Sequence, residues 1–263
     1  MQIKMGGSLN DNKRIVIYTA LFGGYDLLVE PPRKYENCDF ICFTDDKTLV
    51  SDIWDVVVVE NVTDPVRANR EIKFLPHKYV RRYEFSIYID SNIRIINDPS
   101  NFVFENLKKE KICIPQHFER NCIYEEIKEC LTLGKISSEE AFFLNTELTN
   151  DNYPHENGLG ENNIILRRHN DPQVVYLMEK WWEFFIYGPK RDQLSLMYLA
   201  WKYNIKINLM HESSRNKNKY FRYELHLSEQ KLSFFKRNYL FIRANRDRNL
   251  IYKFLYSIKK LIL

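Results

Sequence analysis

No two of the five cysteines (Cys38, Cys42, Cys113, Cys122 and Cys130) form a CxxC pair, and their number is odd. Zinc-ribbon and dithiol redox spacings are thereby excluded, which leaves buried free thiols and a reducing compartment as the expectation. The six histidines (His77, His117, His155, His169, His211 and His226) make no HxxxH or HExxH pair, so the helical zinc patterns are missing too. GxxxxGK[ST] does not occur, which removes a phosphate-cradling P-loop. No window of about 18 apolar residues exists to span a bilayer. No long apolar run stands near the N-terminus, so a cytoplasmic location is expected. Internal repeats and low-complexity linkers are also absent.

What remains is a chain of 263 residues, 44% hydrophobic, enough to fill the core of one large α/β domain. Its net charge of +4 is mild, compatible with a phosphate-bearing ligand or an anionic membrane surface. The basic residues are scattered among 17 tyrosines and 17 phenylalanines without an RNA- or DNA-binding motif. No nucleic-acid partner is expected.

Residues 1–13 are polar and Gly/Asn-rich and read as a flexible extension. Short apolar runs then recur at 14–21, 39–46, 54–60, 85–91, 111–117 and 162–168, the pattern of buried strands. Helical patterns fall at 68–82, where Pro76 interrupts, and at 99–108, 123–133, 137–148, 172–186 and 192–203. Strands alternating with helices predict an α/β fold, a Rossmann-type mixed, mostly parallel sheet flanked by helices. Ligands of such sheets bind beyond the carboxyl ends of the strands. Residues 14–246 are expected to form a single domain. Residues 247–263 read as an amphipathic basic helix, with Leu250, Ile251, Phe254, Leu255, Ile258, Leu261 and Ile262 as its apolar stripe and Lys253, Lys259 and Lys260 along the border. That helix suits an anionic membrane surface, the domain itself or a second subunit.

Four segments could carry chemistry. In Ile-Tyr-Ile-Asp90-Ser91-Asn92-Ile an apolar strand delivers a carboxylate and an amide two residues apart, able to face one ligand or cation. A strand-ending turn would use the same residues. Arg67, Arg70 and Lys73 recur every three residues at the start of a helix, which suits phosphate oxygens or a solvated basic face. Gly158-Leu-Gly160-Glu161-Asn162-Asn163 leads into a strand, as a close backbone approach or a plain loop. Asp192-Gln193 precedes a helical run, where Asp192 is a helix cap or a carboxylate for an acceptor hydroxyl.

Taken together, IYTALFGGYD (17–26), DFICFTDD (39–46), RANREIKFLPH (67–77), YIDSNI (88–93), HFERNCIYEE (117–126), GLGENNIILRRHN (158–170) and WW…RDQLSLMY (181–198) resemble the GT-A-fold glycosyltransferases of the TOD/MUCI group. The resemblance runs over about residues 14 to 230 and rests on the order and spacing of the motifs. It implies an enzyme that moves a sugar from a nucleotide-sugar donor, a UDP-sugar by family likeness, to a glycan or lipid-linked acceptor. Tyr18, Thr19 and the Phe22-Gly23-Gly24 turn would lie near the nucleoside. Arg67, Arg70 and Lys73 would serve the diphosphate, and Asp90 and Ser91 would complete the donor site. Mn2+ or Mg2+ would be held by Asp90, Asn92 and a late histidine, His226 before His211. Asn92 stands where the family pattern has a second acid. Gly160 and Gln193 would lie against the sugar, with Asp192 or Glu161 as the catalytic carboxylate. Peripheral contact with the inner face of a membrane would follow from the C-terminal helix. A non-catalytic nucleotide-sugar or carbohydrate-binding module on the same fold is the alternative.

Overall fold

The strand Ile15–Leu21 is buried at all seven positions, as is Cys38–Thr44. Runs of this kind, without polar alternation, need cover on both faces. The computed structural model describes the backbone of residues 2–3 and 14–262 and the side chains of residues 14–257. Its first elements are β1 (Gln2–Ile3), β2 (Ile15–Leu21), β3 (Cys38–Thr44), β4 (Asp55–Glu60), α1 (Pro65–Phe74), α2 (Pro76–Tyr79), β5 (Phe85–Ile89), β6 (Ile93–Ile95), α3 (Ser100–Lys109) and β7 (Ile112–Pro115). Then follow α4 (Ile123–Thr132), α5 (Ser138–Asn150), β8 (Ile164–Arg167), α6 (Pro172–Tyr187), α7 (Leu196–Lys202), β9 (Asn208–Met210), β10 (Phe221–Tyr223), α8 (Leu227–Gln230), α9 (Phe234–Ala244) and α10 (Leu250–Ile262).

Local chemistry sets the helix ends. Asp64 accepts the Arg67 N–H (2.9 Å) ahead of Pro65 at the first position of α1, and Pro76 ends that helix as expected. Ser137 and Glu140 form a reciprocal capping box on α5. Asp171 caps α6, again before a proline. The helix expected over 192–203 is split. Asp192–Leu194 make one 3-10 turn, and α7 begins after Ser195, whose φ of −130° is not helical. Asp192 therefore does not cap α7.

The chain divides into two compact units, Met1–Lys73 with Ile87–Val103 and Glu212–Leu263, and Phe74–Ser86 with Phe104–His211. In the first, strands run in the order β1-β4-β3-β2-β5. β2, β3 and β4 pair in parallel and β1 joins β4 antiparallel. A separate antiparallel ribbon joins β6 to β10. α10 packs on the end of α9 through Phe241–Tyr252 and an Arg246–Tyr256 cation-π contact. Leu250, Ile251, Phe254 and Leu255 stay exposed. Ile258, Leu261, Ile262, Lys259 and Lys260 lie outside the residues whose side chains are described, and the expected N-terminal extension is described only at Gln2–Ile3.

In the second unit the order is β8-β7-β9, with β7–β9 parallel and β7–β8 antiparallel. Its core centres on Trp181, fully buried and stacked on Phe74 with ring centroids 3.6 Å apart. Among the described residues no helix is long and apolar enough to cross a membrane. All five cysteines are free and buried. Burial pushes the Cys42 thiol up to about 12 and Cys113 to about 11, which leaves both inert.

Candidate functional site

The first unit gathers polar groups where its parallel strands end. β2 runs out into the Phe22-Gly23-Gly24 turn, and β3 delivers Asp45 beside it. The Gly23 N–H donates to both Asp45 carboxylate oxygens (3.0 and 3.1 Å). Gly23 has φ +67°, and a Cβ there would lie 2.9 Å from the Pro65 side chain. Only glycine lets the turn close against the N-terminus of α1. Asn69 ties the same helix to β2 by donating to the Ala20 carbonyl (2.6 Å).

Along α1 the three cations are graded: Arg67 is exposed, Arg70 half-buried, and Lys73 has only 2% of its surface exposed. The Lys73 ammonium stands 3.4 Å from Asp90 Oδ1 and 4.9 Å from the centroid of the Tyr88 ring. The Tyr88 hydroxyl also donates to Asp90 Oδ1 (3.0 Å). Asp90 sits at the tip of β5 with its side chain 35% exposed, so the carboxylate is held from inside and open outside. Tyr18 supports this arrangement from the core: its hydroxyl donates to the Lys73 carbonyl (3.2 Å) and its ring meets Tyr88 edge-on. Tyr18 and Thr19 are fully buried and Phe22 nearly so.

Past Asp90 the chain turns through half-buried Ser91, the Asp90 carbonyl accepting the Ile93 N–H (2.9 Å). β6 then binds β10. Asn92 is buried there, its side-chain amide nitrogen donating to the Glu224 carbonyl (2.9 Å) while its backbone carbonyl accepts the Glu224 N–H. Glu224 in turn holds Arg94 (2.9 Å). This ribbon brings His226 into the first unit, where Nδ1 lies 2.5 Å from Asp26 Oδ2 and the Leu227 N–H bonds Asp26 Oδ1 (2.9 Å). Burial works against a charged ring. The Asp26 hydrogen bond and the charges of Asp26, Glu229 and Asp90 outweigh it and raise the His226 pKa. Burial likewise disfavours the Asp26 carboxylate, but its bonds to His226, Leu227 and Leu27 hold its pKa below the usual range. His211 is exposed and belongs to the second unit.

Among the described residues no group of three or more histidines, cysteines or carboxylates is placed to hold a metal ion. Of the expected cation ligands, Asp90 is near enough to His226 for its charge to raise the His226 pKa, and Asn92 is buried against Glu224. A carboxylate behind the far ring nitrogen is the usual support of a metal-binding imidazole, and Asp26 provides it. Such a set suits an oxygen-loving divalent cation whose remaining positions go to ligand oxygens and water.

In the second unit the expected site residues also lie together. Asn162 donates to the Asp192 carbonyl (3.2 Å), and Gln193 to the Gly160 carbonyl (3.2 Å). Trp181 Nε1 is shared between the Asp192 carbonyl (3.3 Å) and Ser195 Oγ (3.1 Å). Asp192, Glu161 and Asn162 each expose 6% of their surface. Gly160 bridges to Gln116, and a Cβ on it would fall 2.1 Å from Ile114 Cδ1. The close approach that requires glycine is therefore to β7.

Sequence reasoning missed several members of both clusters. Asp26, Asp45, Tyr88 and Glu224 are fixed by partners up to 201 residues away. In the second unit, buried Glu126 pairs with Arg120 and lies 4.0 Å from His117 Nε2. His117 Nδ1 accepts the Glu119 and Arg120 N–H groups (3.3 and 2.9 Å), which leaves the proton on Nε2. Burial lowers its pKa against the pull of Glu126 and Glu161. The HFERNCIYEE motif carries these residues, but nothing in its spacing marks His117 apart.

A family model described as TOD1/MUCI70, glycosyltransferase-like domain, matches residues 5–224. A protein of Arabidopsis thaliana described as "Probable hexosyltransferase MUCI70" is 26% identical over 223 residues, covering 74% of this chain. The match spans 38% of that relative's length. Two solved structures superpose with low identity. The apo WbbM bifunctional glycosyltransferase gives a TM-score of 0.46 at 9% identity, over 92% of this chain and 46% of that one. Apo mouse xyloside xylosyltransferase 1 gives 0.45 at 7%, over 78% and 87%.

Proposed function

The chain belongs to the TOD1/MUCI70 glycosyltransferase-like domain family, and from that premise we propose that it transfers a hexose or related sugar from a nucleotide-sugar donor, a UDP-sugar first, to a glycan or lipid-linked acceptor. The observation that carries the reading is the tip of β5. There a half-open Asp90 is anchored by the buried Lys73 ammonium, two residues before Asn92, and its charge reaches a carboxylate-backed His226. Transfer leaves a nucleoside diphosphate, so the site must offset growing negative charge on the departing oxygens. Arg67 and Arg70 on the first turns of α1, with that helix's N-terminal N–H groups, suit this task. Lys73 fixes Asp90 rather than meeting the diphosphate itself, since its ammonium is buried against that carboxylate. Asp90, Asn92 and His226 would hold Mn2+ or Mg2+, which when bound supplies positive charge for the diphosphate. Asp26 keeps the His226 ring oriented for this.

Asp192 and Glu161 are the carboxylates we assign to the acceptor hydroxyl. Asp192 is the first choice, since its backbone is fixed by Asn162, Trp181 and Ser195 and a rigid carboxylate can hold a hydroxyl in line. Peripheral attachment to the inner face of an anionic membrane completes the reading, through exposed Leu250, Ile251, Phe254 and Leu255 of α10 beside Lys253. Removing residues 247–263 is expected to abolish co-sedimentation with anionic liposomes, and unchanged co-sedimentation refutes the attachment.

One feature favours a second reading, a binding module without turnover. Asn92 replaces an acid and its amide nitrogen is spent on the Glu224 carbonyl. A thermal-shift panel of UDP-, GDP-, CMP- and TDP-sugars, with and without manganese, tests donor recognition. Release of sugar from a labelled donor separates the readings: binding with turnover supports the transferase, binding without turnover the module, and no shift with any donor refutes a nucleotide-sugar site of either kind.

A further inference from the structure

The second unit carries a cavity of about 530 Å³ between α5, α6 and α7. It contains none of the residues assigned above to donor, cation or acceptor hydroxyl. Phe143 and Glu147 come from α5, Phe184 and Tyr187 from α6, and Tyr198 and Lys202 from α7. Tyr187 is 87% exposed and Phe143 39%, the Phe143 ring leaning on Phe184 with centroids 5.9 Å apart. Gly188 forms part of the wall as bare backbone. A Cβ on it would lie 2.7 Å from the Phe184 carbonyl oxygen and 3.4 Å from the Phe143 ring.

The charges narrow the occupant. Two lysines and two glutamates line the space, Lys180 and Lys202 with Glu147 and Glu183. Both lysines are already neutralised: Lys180 pairs with Glu183 (2.6 Å), and Lys202 with Asp151 (2.6 Å). The Tyr198 hydroxyl donates to the same Asp151 (2.5 Å), and burial with that carboxylate beside it pushes its pKa up to about 12. An anionic ligand would find no spare cation here. Glu147 has no ion-pair partner among the described residues and can accept hydrogen bonds from hydroxyls. Exposed ring faces, hydroxyl acceptors and balanced charge match a neutral sugar, whose rings offer an apolar C–H face and a rim of hydroxyls. An acyl chain would instead want a cavity free of charged groups.

We infer that this cavity is a binding subsite for a neutral oligosaccharide, which holds a glycan chain by stacking on Tyr187 and Phe143 and by hydrogen bonds to Glu147. The inference stands apart from sugar transfer, since it needs neither donor nor cation. The full chain is titrated calorimetrically with neutral xylo-, manno- and cello-hexaose and with the acidic hexagalacturonate. At least one neutral hexaose is expected to bind, and more tightly than hexagalacturonate. Tyr187→Ala, at a surface position that leaves the fold intact, is expected to weaken it about tenfold, the scale of one lost aromatic contact. Tyr187→Phe is expected to restore binding, and Phe143→Ala to weaken it in the same way. Donor-induced thermal shifts stay unchanged in all three variants, so a failed donor site and a failed glycan subsite are read separately. No binding of any neutral hexaose, tighter binding of the acidic one, or equal affinity in Tyr187→Ala would each overturn the proposal.

Discussion

His226 and His169 are both largely withdrawn from water, one in each unit, and their surroundings drive them in opposite directions. Burial resists charge on His226, yet Asp26 and neighbouring carboxylates raise its pKa. Burial dominates at His169, the Arg167 charge adds to it, and the ring is pushed down to about 4. His169 is fully buried, with Nε2 donating to the Val80 carbonyl (3.0 Å). The same side chain is biased toward its charged form in one place and away from it in the other. The first unit collects opposed charges at strand ends, where a charged ligand can exchange with them. In the second, His169, Asn162, Gln193 and Trp181 are committed to backbone carbonyls, which makes a rigid frame. A test of function should therefore act through charge in the first unit and through position in the second.

The largest effect tests the first half of that contrast. Asp90→Ala removes the open carboxylate that the buried Lys73 ammonium faces. Turnover of a labelled nucleotide-sugar is expected to fall about 1000-fold or more, the scale of losing a charge matched to the transition state. Circular dichroism should show the fold retained. Wild-type turnover in this variant would mean that the charges at the β5 tip are structural.

Next comes His169. Its pKa in the unfolded chain is near 6.5 and in the folded chain about 4, so between these values the unfolded state binds more protons and stability falls as pH falls. The full loss by pH 4 amounts to about 3 kcal/mol, at about 1.4 kcal/mol per pKa unit. His169→Gln keeps a neutral donor for the Val80 carbonyl. It is expected to flatten the fall in melting temperature between pH 7 and pH 4.5. An unchanged slope would place the acid sensitivity elsewhere.

Asp192 tests the second half. Asp192→Ala should lower sugar transfer about 100-fold, the scale of one general base. The donor-induced thermal shift should survive, because Asn162, Trp181 and Ser195 bind the Asp192 backbone carbonyl, which the substitution keeps. Loss of the donor shift as well would show that this carboxylate serves the donor.

How much of this was legible in sequence follows the same divide. β2, β3, β4, β5, β7 and β8 announced themselves as apolar runs, and α1 and α5 as helical patterns whose capping residues were not singled out. The three-residue strands β6, β9 and β10 are too short to show a period, and the β6–β10 ribbon pairs residues some 130 apart, as Asn92 with Glu224. Asp90, Asn92 and Lys73 were visible as types at a strand tip and on a helix, but the burial of Lys73 against Tyr88 was not. His226 was named from family likeness, whereas Asp26, which explains its state, stood only as the last residue of the IYTALFGGYD motif. Asp192 looked like a cap and lies one turn too early, because Ser195 departs from helical geometry. Local patterns give elements; the partners that tune a side chain arrive from elsewhere in the chain.

The smallest effect isolates the His226–Asp26 pair, whose sign is opposite to that of His169. A raised histidine pKa stabilises the fold below about pH 6.5, and that contribution fades as pH rises through the folded value. The lowered Asp26 pKa adds stability above its ordinary 3.8, lost as pH falls through its folded value. The two together act most strongly between about pH 4 and pH 6.5, the interval in which His169 is losing ground. Asp26→Asn removes the charge that holds the imidazolium. With the His226 side chain 27% exposed, solvent screening limits the cost to about 1 kcal/mol. Melting curves of the variant and the wild type should differ most near pH 5.5 and draw together toward pH 9. A gap constant across that range would mean that Asp26 supports the His226 loop through its backbone hydrogen bonds alone, and the contrast between the two histidines would reduce to burial.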